Sequence, residues 1–229
     1  MIVEIANDPY LGEELVFRGG TCLHKLHLSP ALRYSEDLDY VRRSADGVGE
    51  VFDAVRKIGD RLGMAVETEV SLRPKVLLRA PFESGTGTMR IKIEVNTHER
   101  SPARSLARHP FQVSSSWFAG SADIQTFCAE ELIATKLRAL YQRSKGRDLF
   151  DLWIAQTYLG LTSAAIVECF APYRPKGYTA KLAEQNLLRK LGRSDFRNDL
   201  GPLIADWPAE YNIDAAGRVV IDELLSLIS

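Results

Sequence analysis

The chain has 229 residues, 45% of them apolar and 26% charged. That is long enough for one large domain or two small ones with an ordinary core, and it excludes a disordered segment. A formal net charge of -1 excludes a uniformly basic coat for nucleic acid, and three scattered cysteines, Cys22, Cys128 and Cys169, exclude a disulfide framework or a cysteine zinc site and suit a reducing cytoplasm.

The N-terminal stretch "MIVEIANDPYLGEE" has no basic region leading into an apolar run, and nowhere do roughly 20 apolar residues follow one another. Neither secretion nor membrane insertion is expected. "ELVFRGG" then reads as a short strand ending in a turn, and "TCLHKLHL" as a helix with Thr21 as its cap. "DLDYVRR" reads as a strand, and "GEVFDAVRKIGDRLG" as an amphipathic helix stopped at Gly63. Three strand candidates follow, "MAVETEVSL", "KVLLRAP" and "TMRIKIEVN", the last with Ile91, Ile93 and Val95 on one face and Lys92, Glu94 and Asn96 on the other. From about Phe127 the pattern turns helical, in "CAEELIATKLRALYQRS", "GRDLFDLWIAQTYL", "TSAAIVECF" and "YTAKLAEQNLLRKL". The expected fold is α/β (α+β), a mixed-sheet domain over residues 1–125 followed by a helical domain over 126–229. No internal repeat is evident.

The segment "GGTCLHKLHLSPALRYSEDLD", residues 19–39, joins glycines to a spaced pair of acids. On a strand Asp37 and Asp39 project to one side, and two carboxylates so close need a cation or a proton between them. Magnesium suits the position, since it often binds through one or two carboxylates plus substrate phosphates. Glu94 is a candidate third ligand if its strand lies beside the first. Gly19 and Gly20 let the backbone approach a phosphate, and the helix from Thr21 aims N–H groups at it. Lys25 and Arg33 could neutralise phosphate charge, and Ser35 could donate to a phosphate oxygen or a metal-bound water. The ordinary alternative is a solvated strand end beside a plain turn. His24 and His27 lack a third ligand at metal spacing and receive no role.

With "GGT…RYSEDLD" before it, the chain resembles the minimal nucleotidyltransferases of the AbiEii-type toxin family, which includes the MenT toxins of mycobacteria. In that family a glycine turn and an S/T-x-D-x-D strand precede a helix bearing a lysine and then an RDxxD-like element. Here these are Gly19, Gly20, Thr21, Ser35, Asp37 and Asp39, then Lys136 in "EELIATKLRAL", then Arg147, Asp148 and Asp151 in "RDLFDL". The resemblance spans roughly residues 15–155 and implies a nucleotidyltransferase fold. It implies that Asp37 and Asp39 bind magnesium, that Ser35 belongs to the nucleotide site, that Lys136 contacts the triphosphate and that Asp151 is the late essential acid. Spacing on a helix independently puts Asp148 and Asp151 on one face, where one of them could hold a lysine in place.

The implied reaction transfers a nucleoside monophosphate from a nucleoside triphosphate to an acceptor hydroxyl, with RNA, and transfer RNA 3′ ends first, as the acceptor. It also implies a toxin that blocks translation and is restrained by a cognate antitoxin. The basic stretch "YRPKGYTAKLAEQNLLRKLGRSDFR", with Tyr173, Tyr178 and Phe196 interleaved, and Arg100, Arg104 and Arg108 in "RSPARSLARH" are candidate RNA contacts, against the alternative of a merely solvated face. Phosphate on Ser35 would set negative charge against that of the nucleotide, which makes it a candidate regulatory position. The rival readings are a transferase acting on a small molecule such as an aminoglycoside, and a non-catalytic nucleotide- or RNA-binding module.

Overall fold

The computed structural model describes residues 1–82 and 85–228. The chain divides into two compact units. The sheet unit comprises Met1–Leu26, Ser35–Arg100 and Leu106–Phe127, and the helical unit takes everything from Cys128 onward together with two earlier segments, His27–Tyr34 and Ser101–Ser105. Arg33 therefore groups with the helices, although Ser35, two residues later, groups with the sheet.

The sheet unit opens with helices α1 (Ile2–Asn7) and α2 (Leu11–Glu14) and strand β1 (Leu15–Arg18). Helix α3 (Gly19–Cys22) follows at once and continues as a π-type turn over Leu23–His27. Next come β2 (Leu38–Arg42), α4 (Gly49–Arg61), β3 (Ala65–Glu69), β4 (Lys75–Pro81), β5 (Thr88–Asn96), β6 (Ala107–Ser114) and β7 (Ala119–Thr126). The seven strands form one mixed sheet in the order β3-β4-β5-β2-β1-β7-β6. The pairs β2–β5 and β1–β7 are parallel, and the others are antiparallel.

Period-two alternation gives this sheet one apolar face, where Phe17, Leu38, Tyr40, Val76, Leu78, Ile93 and Val95 are all buried. Helix α4 covers the β3–β4 end with Val51, Phe52, Val55 and Ile58, and its Gly59 lies against Val66 and Leu78, where a Cβ would not fit. The helix stops as expected: Gly63 adopts φ 66°, a conformation that glycine reaches without steric cost. Burying that face leaves the opposite side of β1, β2 and β5 to carry polar groups.

Two features differ from the sequence expectation. Thr21 does not cap its helix, because α3 already starts at Gly19 and Thr21 lies inside it. The hairpin β6–β7 comes from a segment in which no strand was expected. Pro110 sits within β6, which is tolerated because β6 is the edge of the sheet and leaves one side of its backbone unpaired.

The helical unit contains α5 (Ala129–Gln142), α6 (Gly146–Thr157), α7 (Ser163–Phe170), α8 (Ala180–Leu191), α9 (Ser194–Arg197) and α10 (Ile213–Val219). Side chains cap three of them: Thr162 accepts from the Ala165 N–H, Thr179 from that of Leu182, and Asn212 from those of Asp214 and Ala215. Helix α5 buries Leu132, Ile133, Leu137 and Leu140 at helical spacing, and α6 buries Leu149, Phe150, Leu152 and Ile154. Both helices also bury charge, in Lys136 on α5 and in Asp148 and Asp151 on α6. Among the described residues no helix is long and apolar enough to cross a membrane.

Candidate active site

One group of charged residues occupies the polar face of the sheet unit. Arg18 pairs with Asp39 across β1 and β2, and Asp39 pairs with Glu94 across β2 and β5. Residues in register point the same way, as do residues two apart along a strand. Arg18, Asp39, Lys92 and Glu94 therefore share one face, and Asp37 stands at the entry to β2. The Lys92 ammonium bridges two of the acids, at 2.9 Å from Asp37 Oδ2 and 2.8 Å from Glu94 Oε1. Burial works against its charge, but hydrogen bonds to Glu94 and Asp37 outweigh burial and hold the ammonium above the usual lysine range. Asp37 nevertheless leaves 37% of its side chain in water. Arg18 is engaged by Glu99 at 2.6 Å.

The glycine turn is built around Asp39. Gly19 has φ 81°, and a Cβ there would lie inside the Asp39 carboxylate and 2.8 Å from the Asp39 Cβ. Both the backbone conformation and the close approach thus require glycine. Gly20 beside it is buried, and Lys25 is exposed on the turn that follows. The buried Thr21 hydroxyl lies 2.6 Å from the Asp37 carbonyl oxygen and 3.0 Å from Ser35 Oγ. Its single proton goes to the carbonyl, so Ser35 donates in the second bond. Thr21 ties the segment entering β2 to the helix after the glycine turn, and its own hydroxyl is thereby occupied.

Asp37 and Asp39 offer hard oxygen donors on one side of a strand, with the glycine turn leaving room for the second carboxylate. That donor set fits a magnesium ion held jointly with substrate phosphates. Among the described residues no three His, Cys, Asp or Glu side chains assemble into a metal-ligand group, and Glu94 is held by Lys92.

A second group lies within the helical unit and is buried. Asp151 has no exposed side-chain surface. Arg33 grips it with both forks, Nε at 2.8 Å and Nη2 at 2.7 Å, and Lys136 Nζ approaches it at 2.9 Å. Asp148, equally buried, lies 3.8 Å from Lys136 and accepts a bidentate pair from Arg143 at 2.7 and 2.8 Å. Burial pulls the Arg33 guanidinium down, but the charge and hydrogen bonds of Asp151 more than compensate and keep it firmly protonated. Three cations face two anions here. Arg147 is not among them, because it turns to Asp199.

The expected RNA contacts fare unevenly. Tyr173, Tyr178 and Phe196 are buried, so none of them offers a face to a base. Arg104 pairs with Glu130 and Glu168, Arg108 with Glu13, Arg193 with Asp195 and Arg197 with Asp214. Two site residues escaped the sequence reading, Lys92 and Arg143. Lys92 had a signal, since it shares a strand face with Glu94. Arg143 had none, because its partner Asp148 lies across the turn between two helices.

A mixed sheet that presents a glycine turn against paired acids at neighbouring strand ends belongs to the nucleotidyltransferase class. Comparisons with known proteins agree. The profile of the nucleotidyl transferase AbiEii toxin family, a type IV toxin–antitoxin system, matches residues 2–218, and the chain belongs to that family. Its fold is similar to that of MenT4, a nucleotidyltransferase toxin of Mycobacterium tuberculosis, with a TM-score of 0.58 and 17% identity over 94% of this chain and 76% of that one. It is also similar to JHP933 from Helicobacter pylori, with a TM-score of 0.57 and 16% identity over 99% of this chain and 86% of that one. A third likeness is to a nucleotidyltransferase of H. pylori described as putative, with a TM-score of 0.54 and 15% identity over 100% and 93% of the two chains. No protein of curated function matches the sequence.

Proposed function

We propose that this member of the toxin family moves a nucleoside monophosphate from a nucleoside triphosphate onto RNA, with the 3′ end of a transfer RNA as acceptor, and so blocks translation until a cognate antitoxin neutralises it. The observation that carries the reading is the polar sheet face, where Gly19 makes room for Asp39 while Asp37 remains open to water. In the reaction the acceptor hydroxyl gives up its proton to water as its oxygen forms a bond to the α-phosphorus, the bond from that phosphorus to the bridging oxygen breaks, and pyrophosphate leaves. Magnesium held by Asp37 and Asp39 would neutralise charge on the α-phosphate and lower the pKa of the attacking hydroxyl.

The remaining work falls to positioning and electrostatics. Lys136 and Arg33 are assigned to the triphosphate and its departing pyrophosphate, and Lys25 and the N–H groups after Gly19 and Gly20 to the same phosphates. Asp151 is assigned the task of orienting Arg33 and Lys136: both of its oxygens are occupied by them, so it positions rather than touching the reacting atoms. Glu94 anchors Lys92, and Thr21 holds Ser35 and Asp37 in place. A phosphate on Ser35 would break its bond to Thr21 and add negative charge where the nucleotide must come, so a Ser35→Glu protein with full activity would sink that assignment.

The deciding experiment incubates purified protein with total transfer RNA, magnesium and each of the four α-labelled nucleoside triphosphates in turn, with Asp37→Ala as control. Label entering RNA with the intact protein and not with Asp37→Ala is the expected result. Growth arrest that persists in Asp37→Ala, with no label transferred, would overturn it in favour of a binding module.

A further inference from the structure

With Tyr173, Tyr178 and Phe196 buried, a surface for bases has to be sought elsewhere in the helical unit. Trp207 is 47% exposed and lies on the loop before α10. Its ring stacks on Tyr211, with centroids 5.7 Å apart and planes 23° apart. Tyr211 in turn packs edge-on against Phe150 at 4.9 Å and Trp153 at 5.0 Å, both buried residues of α6. Trp207 is thus an exposed member of an aromatic column rooted in the core, with its ring backed by that of Tyr211.

The column also adjoins the buried charge cluster. Phe150 and Asp151 are consecutive on α6, and the Asp151 carboxylate interacts electrostatically with Tyr211. A second tie comes from the other side: the Tyr34 N–H donates to the Leu203 carbonyl at 2.7 Å, which joins the neighbour of Arg33 to the segment that leads into Trp207. Arg33 and Lys136 are therefore linked through α6 and this hydrogen bond to the loop that carries an exposed indole. The loop itself carries Asp206 and Glu210, the latter fixed by the Tyr158 hydroxyl at 2.6 Å. These acids repel a phosphate directly beside the ring while leaving an uncharged planar group free to stack. Ala205, Asp206, Ala209 and Glu210 are exposed beside it along the chain, and a second exposed aromatic, Tyr158, joins the same column by packing on Trp153.

We propose that Trp207, backed by Tyr211, is a stacking site for a nucleobase of the substrates. This rests on the transferase reading above. The base belongs either to the nucleoside triphosphate or to the acceptor RNA, and base–aromatic stacking is strong enough to be read in a binding constant.

The experiment measures KM for the triphosphate and KM for RNA separately in wild type, Trp207→Ala and Trp207→Phe, with thermal midpoints as a check on folding. Trp207→Ala is expected to raise one of the two KM values about fivefold or more with kcat little changed, and Trp207→Phe to recover most of the loss. A rise confined to the triphosphate assigns the base to that substrate, and a rise confined to RNA assigns it to the acceptor. Unchanged KM values in an active protein overturn the proposal, as does a loss that phenylalanine fails to rescue. If no transfer occurs with any substrate, the transferase reading has failed, and tryptophan fluorescence decides the inference alone. Quenching by nucleotides or RNA oligomers that is present in wild type and absent in Trp207→Phe sustains the stacking site, and equal quenching in both removes it.

Discussion

Asp37 in the sheet unit and Asp151 in the helical unit are the same residue type, each next to cations, yet their surroundings differ in kind. Asp37 has more than a third of its side chain in water and meets the Lys92 ammonium at 2.9 Å. Asp151 has no exposed side-chain surface and divides its two oxygens between the Arg33 fork and Lys136. An exposed acid can exchange its lysine for an arriving cation at little cost. A buried one cannot, because removing either partner strands a charge away from water. The difference separates a carboxylate that can take part in chemistry from one that arranges the residues around it.

The largest effect expected from this contrast lies in stability. Asp151→Asn should lower the unfolding free energy by about 3–5 kcal/mol, because Arg33 stays buried without its counter-charge and Lys136 keeps only the more distant Asp148 at 3.8 Å. Asp37→Asn should change it by about 0.5 kcal/mol or less, as for an ordinary surface substitution. Urea denaturation of the two variants compares them directly, and transfer activity should be lost in both. An Asp37→Asn protein as unstable as Asp151→Asn would erase the distinction.

A smaller loss is expected at the glycine turn. Alanine at position 19 must adopt a positive φ, at a cost of about 1–2 kcal/mol, and its Cβ must displace the Asp39 carboxylate. Gly19→Ala should therefore lose stability moderately and lose transfer almost completely, whereas Lys25→Ala on the exposed turn should alter only the KM for the triphosphate. Steady-state kinetics beside a denaturation curve reads both effects.

What the sequence disclosed follows the same division. Asp37, Asp39 and Glu94 were legible because the strand period put them on one face, and Gly19 because a glycine pair after a short strand marks a turn; burial was not needed to see either. The five strands of the β3-β4-β5-β2-β1 part of the sheet were legible for the same reason. The hairpin β6–β7 was not, since Pro110 and the serine-rich turn disguise an edge strand whose alternation is half solvated. The role of Asp151 was only partly legible: helical spacing placed it with Asp148, but its bond to Arg33 joins residues 118 apart in sequence. Aromatic residues misled in a similar way, because a basic stretch with interleaved rings reads alike whether the rings face water or, as with Tyr173 and Phe196, the core.

Lys92 sharpens the contrast from the side of the cation. It sits between Asp37 and Glu94, so any divalent ion approaching Asp37 must work against its charge. Removing that charge in Lys92→Gln should tighten the binding of manganese to the free protein about two- to fivefold, in keeping with the modest worth of a partly exposed ion pair. Arg33→Gln, in the other group, should leave manganese affinity unchanged. Titration followed by electron paramagnetic resonance measures both variants without nucleotide or turnover. Weaker binding in Lys92→Gln would mean that the lysine organises the acids instead of competing for them.

The smallest effect concerns a buried cation that, among the described residues, is held by backbone carbonyls instead of a carboxylate. Lys190 on α8 donates to the carbonyl oxygens of Leu140 and Tyr141, near the C-terminal end of α5. Burial pushes its pKa from 10.5 down to about 8, and the charge of Asp148 offsets only part of that. With the folded value below the unfolded one, the unfolded chain binds more protons between the two. Stability from this group is therefore fully present above 10.5 and is lost as pH falls through about 8. Wild type should gain on Lys190→Met in thermal midpoint as pH rises through that window, since other titrations are common to both proteins and cancel in the difference. A difference that stays flat would mean that the carbonyls at the end of α5, where a helix favours positive charge, keep the ammonium protonated despite its burial.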